Sequence, residues 1–390
     1  MKIHLPQKDL EAATTVVSSL VDRSAGPLPV LANVLIDATE SGVQFRGTDV
    51  ESLVSVNLNA TVSEPGRTTV PADTFRDIVK LLPPQAEVTI EEKGRRVTVT
   101  CETNEYKLMT IPAEDFPDYA AEPGQSRFLI SQKTLRQLID ATAYALPTKD
   151  HRRVLLGVYF ELTTNMLRLT ATDGKKLARV SANVPEIEGG GSAAIVVPRK
   201  LLDNLYRTLG SEGPVEIEMS SRQISFRFGN ILYRCNGIEG KYPDCDSVIP
   251  KDFPIEIGLN RDVFLQASKR AGITTDEKNK SIILKFDDNR CAFASMAHDL
   301  GAFSGKISLD YNGPAIELAF NYLFLNETLS HFNSSEIRMY VKNSTAPVVF
   351  RTKDEESRLA LLMPIKLADV RAGGAPDEAD GGDEEEEEEE

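Results

Sequence analysis

Residues 169–180 read LTATDGKKLARV, and residues 45–56 read FRGTDVESLVSV. Thr48 and Asp49 return as Thr172 and Asp173, Leu53 as Leu177 and Val56 as Val180, all at one offset of 124 residues. Taken alone, TDGKK looks like half of a phosphate-binding loop. Such a loop needs a glycine five residues before its Gly-Lys pair and a hydroxyl after the lysine to hold magnesium. Position 169 is leucine and position 176 is lysine, so an ATPase is excluded and the repetition itself needs explaining.

The repeat runs well past the opening phrase. VLANVLIDATESGVQFRGTD (30–49) lies over VLLGVYFELTTNMLRLTATD (154–173) without a gap. Upstream, IHLPQKDLEAAT (3–14) resembles FLISQKTLRQLIDAT (128–142), and a third version, IEIGLNRDVFLQAS (255–268), leads into SIILKFDDNRCAFASMAHD. Downstream, TTVPADTFRDIVKLL (68–82), IVVPRKLLDNLYRTL (195–209) and LAFNYLFLNETLSHF (318–332) occupy one place in the three copies. Self-similarity on this scale means repeated structural units. The copies span 1–125, 126–252 and 253–371, followed by an acidic tail, 372–390.

Each copy predicts the same order. A short strand precedes a helix with apolar residues at helical spacing: Leu10, Ala13, Val16, Val17 and Leu20 in the first copy, Leu135, Leu138, Ile139 and Ala143 in the second. Alternating strands such as VTVTC (97–101) and VEIEM (215–219) belong to the sheets. A second helix opens after Val-Pro, with Pro71 or Pro198 in its first turn, where a missing N–H costs nothing. The fold class is α+β, three tandem domains of two helices plus antiparallel sheet each.

Composition bounds the function. The chain has 390 residues, 41% hydrophobic and 26% charged, an ordinary globular balance. No apolar run approaches the roughly 20 residues of a membrane span, and MKIHLPQKDL has no secretory apolar core, so a cytoplasmic protein is expected. Cys101, Cys235, Cys245 and Cys291 and the four histidines are scattered, without zinc-site spacing; neither metal nor cofactor is expected. Net charge is −15, of which residues 371–390 carry −10. A run such as GGDEEEEEEE repels itself and buries nothing, which predicts a disordered tail.

Opposite the apolar helix stripes lie Lys8, Arg76, Lys80, Lys133, Arg136, Arg199, Lys200, Arg207, Lys269 and Arg270. On one inner surface they would attract phosphates without reading bases; the alternative is ordinary solvated faces. Sheet edges left open at the ends of a row of units are removed by closing a ring. Helices packed about 10 Å apart give a ring of only ~19 Å from the six helices of one chain and ~38 Å from twelve. A duplex is on the order of 20 Å wide, so a ring around DNA would be a dimer.

The three copies, TDG followed by leucine, the KYPD that closes the second copy and the terminal LLMPIKL (361–367) together resemble the bacterial sliding clamps, the beta subunits of DNA polymerase III. The likeness covers residues 1 to about 370. It implies a six-domain ring formed by a head-to-tail homodimer around double-stranded DNA. Such a ring is non-catalytic and acts as the processivity factor of the replicative polymerase, binding polymerase, clamp loader and repair proteins through short peptides. The peptide pocket carried over from the resemblance comprises Leu155, Thr172, Gly174, Leu177, Pro243, Val248, Asn321, Phe324, Leu362, Met363, Pro364, Ile365 and Leu367. Apolar and methionine side chains make an adaptable surface, while plain core remains the alternative for Leu155, Leu177 and Leu362. Arg23, Lys149 and Arg152 sit where the family touches the duplex, with a one-residue length difference beside Arg23. Dimer contacts would involve Ile78 and Tyr106 against Ile273, with Thr274 standing where a larger apolar residue is expected. Family members usually stop near MPIKL, so the tail is a departure, expected either to solvate or to steer basic partners. Rival readings are a pseudo-symmetric enzyme with a site between domains, with Asp49 and Asp173 as turn residues rather than catalytic carboxylates, and a ring scaffold that does not encircle DNA.

Overall fold

The computed structural model describes the whole chain apart from residues 25, 185, 191, 277–279, 298–299, 353–356 and 373–390. The acidic run therefore lies outside the described residues. The α-helices among the described residues are α1 (Gln7–Val17), α2 (Ala72–Leu81), α3 (Gln132–Ala143), α4 (Arg199–Thr208), α5 (Arg261–Ala271), α6 (Tyr322–Ser330) and the short α7 (Leu367–Ala372). The first six fall two to a copy; α7 was not signalled by any periodicity. The chain divides into two compact units, one of Met1–Leu169 with Ser181–Tyr242, the other of Thr170–Val180 with the chain from Pro243 onward. The middle of the quoted stretch thus packs with the C-terminal unit.

In the first unit a five-stranded antiparallel sheet runs in the order 61–64, 2–6, 87–93, 96–101 and 104–109. A nine-stranded sheet follows the order 187–189, 126–131, 214–219, 223–228, 231–236, 52–58, 42–48, 33–39 and 66–71. The first two copies meet within it, Cys235 opposite Ser52 and Ile231 opposite Val56. In the second unit Leu362 stands opposite Lys176 and Arg358 opposite Val180, the same junction one repeat later. A four-stranded sheet in the order 301–308, 290–297, 281–287, 316–321 completes that unit. Strands 104–109 and 301–308 are edges of their sheets.

The alternation in the sequence becomes alternation of burial. Val97, Val99 and Cys101 point inward, as do Val215, Ile217 and Met219. The third copy packs Phe264 against Phe286 and Phe293, with the Phe293 ring edge-on at 5.1 Å. The helix stripes differ from expectation at two polar positions. Thr14 and Thr142 are fully buried because their hydroxyls donate to helix carbonyls, Thr14 to Glu11 at 3.1 Å and Thr142 to Leu138 at 2.8 Å. Val16 and Ala143, placed on the apolar stripe from sequence, are only half-buried. Pro71 and Pro198 sit one position before the first helical residue, closing the preceding strand as N-caps without a side-chain bond. Ser131, Asn260 and Asn321 cap α3, α5 and α6 with side-chain oxygens, each contributing about 1 kcal/mol.

Candidate functional site

The repeated Thr-Asp builds the same turn twice. Thr48 donates its hydroxyl to the Ser52 carbonyl at 2.7 Å, and Thr172 does the same to Lys176 at 2.7 Å. The Asp49 carboxylate accepts the Ser52 N–H at 2.8 Å, and the Asp173 carboxylate accepts the N–H groups of Lys175 and Lys176, both at 2.8 Å. Residue 50 and residue 174 both adopt left-handed backbone, at φ 76° for Val50 and 86° for Gly174. Glycine takes this without strain, whereas a β-branched residue does not. Both aspartates thus hold turn backbone rather than face a reactive cleft.

In the C-terminal unit this turn opens a mainly apolar surface. The Met363 N–H donates to the Lys175 carbonyl at 2.8 Å, fixing the MPIKL segment beside the strand. Across the strand, the Lys175 and Lys176 ammonium groups lie 6.0 and 5.2 Å from the ring centroid of Phe324 on α6. Lys176 is nearly sealed and forms an ion pair with Glu327. Arg179 is ion-paired with Asp246 in the 243–250 segment. Val248, Leu323 and Met363, far apart in the sequence, remain 48%, 41% and 39% exposed.

Of the pocket residues inferred from sequence, Thr172, Gly174, Leu177, Pro243, Val248, Asn321, Phe324, Leu362, Met363, Pro364, Ile365 and Leu367 all belong to this unit, whereas Leu155 is buried in the other. Leu177 and Leu362 are core, at 2% and 1% exposure. Ile365 and Leu367 turn toward Ile283, Ala319 and Val370, with the Ile365 N–H bonded to the Ala319 carbonyl at 2.7 Å. Asn321 spends its side-chain oxygen on the N–H groups of Leu323 and Phe324. Gly174, Pro243, Val248 and Met363 are exposed, and Phe324 and Pro364 are half-buried. The sequence reading missed Lys175 and Leu323. A signal for Leu323 existed: α6 opens with four apolar residues in a row, more than one buried stripe requires.

Of the thirteen basic residues named from sequence, eleven lie in the first unit and Lys269 and Arg270 in the second, and electrostatics separate those of the first unit. Arg23 forms a two-pronged bond to Asp73 at 2.8 and 3.0 Å, which pushes its own pKa up and holds the aspartate below the ordinary range. Arg152 is likewise bound to Asp150, whose pKa falls to about 2 through the Arg152 side chain and backbone N–H. Lys200 donates to Asp49 at 2.7 Å and to the Leu20 carbonyl at 3.1 Å. The Arg136 guanidinium rests 4.8 Å above Tyr206. Among the described residues Lys80, Lys133, Lys149 and Arg207 have no ion-pair partner. Arg199, Lys200 and Arg207 come together with Ser19, Thr148 and Asp203 around an open depression of about 460 Å³.

Ile78 and Tyr106 are half-buried and Ile273 is 74% exposed. Thr274 shares a 2.8 Å hydrogen bond with Ser295, which gives this hydroxyl a partner where an apolar side chain was expected.

Residues 1–120, 129–244 and 246–366 match, in order, the N-terminal, central and C-terminal domains of the DNA polymerase III beta subunit. The chain belongs to the DNA polymerase III beta subunit family. The beta sliding clamp of Escherichia coli K12 is 30% identical over 342 residues, covering 87% of this chain and 93% of that relative. The solved DNA polymerase III subunit beta of Pseudomonas aeruginosa superposes with a TM-score of 0.89 at 28% identity, covering 94% of this chain and all of that one. The Bacillus subtilis sliding clamp gives 0.89 at 26% identity, covering 94% and 99%. A further Pseudomonas aeruginosa clamp of the same similarity was solved bound to griselimycin. Three beta-clamp domains of mixed helix and antiparallel sheet account for this chain, and no helix among the described residues is long and apolar enough to cross a membrane.

Proposed function

We propose that this chain is a DNA sliding clamp, the processivity factor of a replicative polymerase. It acts without catalysing a reaction of its own, in the cytoplasm where the chromosome is copied. The observation that carries this reading is the ordered match of all three clamp domains across one chain. The copies are taken to divide near residues 125 and 252. Two copies close head to tail, the edge strand 104–109 of one pairing with the edge strand 301–308 of the other. Unpaired edges invite such pairing, and Met109 and Ile273, 61% and 74% exposed, supply apolar surface at the two ends.

The duplex is held by enclosure, with lysines and arginines of α2, α3 and α4 meeting phosphates weakly enough to permit sliding. Arg23 and Arg152, already neutralised by Asp73 and Asp150, suit transient contact rather than tight anchoring. Partner proteins dock apolar peptide segments on the surface formed by Gly174, Val248, Phe324, Met363 and Pro364. Solution mass with small-angle scattering tests the ring: twice the chain mass and a hollow profile are expected, and Ile273→Asp should return the chain mass. A compact monomer at micromolar concentration would refute the reading.

A further inference from the structure

The three copies differ at one sheet edge. In the first, strand Lys2–Pro6 is flanked on both sides, by 61–64 and 87–93, and in the second Ser126–Ser131 lies between 187–189 and 214–219. In the third, Ile255–Asn260 pairs with Glu336–Val341 on one side and, among the described residues, with no strand on the other. The stretch that would cover it is committed elsewhere. Between strands 301–308 and 316–321, where the other copies place their covering strands, the Leu309 N–H donates to the Asn289 carbonyl and the Asn289 N–H to the Tyr311 carbonyl, both at 2.9 Å. The Tyr311 ring is buried edge-on to Phe286.

Register decides which groups this edge presents. The Arg261 N–H donates to the Ser335 carbonyl at 2.8 Å, as Gln7 does to Ala86 and Gln132 to Gly213, both at 2.9 Å. Alternate residues of an antiparallel strand bond to the same neighbour, so Ile255, Ile257 and Leu259 bond toward 336–341, and the N–H and C=O groups of Glu256 and Gly258 turn to the open side. Open edges are ordinarily guarded by lysine, proline or a bulge. This strand, IEIGLN, has no lysine or proline, its register is regular, and its one charge, Glu256, is paired with Arg338. Gly258 stands where the other copies have His4 and Leu129, and a Cβ built on it would meet no atom within 4 Å.

We infer that Ile255–Asn260 is a docking edge for an extended segment of another protein, added antiparallel, with an aromatic side chain over Gly258 and a basic one beside Glu256. The direction follows from the other copies, whose covering strands are both antiparallel. Backbone bonds to Glu256 and Gly258 supply the attachment, and side chains supply the choice of partner. A ring opposite an edge glycine covers backbone that has no side chain of its own. The Glu256 carboxylate, 44% exposed, gives one oxygen to Arg338 and retains acceptor capacity for a second cation.

The test uses the full chain, isotope-labelled for NMR, and the capped peptide Ser-Thr-Val-Tyr-Val-Lys-Ser, whose tyrosine falls opposite Gly258 and lysine opposite Glu256. In the free protein the Glu256 and Gly258 amides should exchange at least about 100-fold faster than those of Ile257 and Leu259. Protection of both without peptide, whether constant or rising with protein concentration, means that the chain or a second copy already covers the edge, and overturns the inference. Added peptide should shift resonances of 255–260 and slow exchange at Glu256 and Gly258. Alanine in place of the tyrosine should weaken binding about two- to fivefold, the range of one cross-strand aromatic pair. N-methylation of the tyrosine and lysine amides should abolish binding, whereas N-methylation of the valine between them should not, because that amide faces away. Gly258→Val keeps the backbone donor and fills the open space, so it should bind the tyrosine and alanine peptides equally. Absence of shifts at 255–260, indifference to which amides are methylated, or a tyrosine preference that survives in Gly258→Val each overturns the inference.

Discussion

Replacing Glu327 by glutamine isolates the ion pair beneath the apolar surface. Lys176 keeps 6% of its side chain exposed and Glu327 keeps 42%, so one charge is buried and the other is partly in water. Breaking a fully buried pair costs about 3–5 kcal/mol because a charge is left uncompensated, while fully exposed pairs contribute about 0–1 kcal/mol. Half exposure of the carboxylate, together with the Phe324 face 5.2 Å from the ammonium, brings the expected loss for Glu327→Gln to about 1–2 kcal/mol. Lys176→Met removes the buried charge and keeps the volume, so it should cost under about 1 kcal/mol, and the double variant should cost less than the sum of the two. Urea unfolding gives the energies, and hydrogen exchange in Lys176–Val180 assigns the loss to this strand. A loss below about 0.3 kcal/mol for Glu327→Gln, with additive costs in the cycle, would refute the argument that the pair shields a buried charge.

Gly174→Val places a β-branched residue at φ 86°. The left-handed penalty of about 1–2 kcal/mol, less about 0.4–1 for the stiffer unfolded chain, should lower stability by about 1 kcal/mol in urea; no change would show that the turn relaxes. Arg207→Ala should reduce the slope of log affinity for duplex DNA against log salt by about one, whereas Arg23→Ala and Arg152→Ala should reduce it less, because both are already paired with aspartates. Asp150 should titrate near pH 2 by carbonyl-carbon NMR and return toward the ordinary carboxylate range in Arg152→Ala. Because its folded pKa is depressed, its stabilising contribution is complete above about pH 4 and fades as pH falls toward 2. Burial pushes the thiols of Cys101, Cys235 and Cys291 up, so a thiol reagent at pH 8 should leave them unmodified until the protein unfolds.

The repeat was legible because the turn it encodes has strict needs: a hydroxyl and a carboxylate for its backbone N–H groups and a left-handed residue after them. Thr48–Asp49 and Thr172–Asp173 both meet the first need, each threonine oxygen accepting the N–H two residues on and each aspartate the N–H three residues on. The helices were legible through Leu10, Leu135 and their neighbours, though Thr14 and Thr142 escaped, since a hydroxyl that bonds its own helix looks polar in sequence and behaves as apolar in packing. Charge partners were not legible. Lys200 meets Asp49 from 151 positions away and Arg23 meets Asp73 from 50, distances at which no local pattern operates. The same limit explains why Leu362 and Leu177 read equally well as pocket or core. Their burial is decided by a strand pairing between positions 176–180 and 358–362, while Lys175, inside the quoted stretch itself, was passed over as one of two like neighbours.

Enclosure is tested most directly by release from DNA with and without ends. Labelled protein loaded onto nicked circular DNA, freed of unbound chains by gel filtration, should remain for many minutes at moderate salt and leave rapidly once a single restriction cut linearises the circle. Equal rates of loss before and after the cut would contradict the account, because contact alone, rather than a closed ring, would then hold the protein to its DNA.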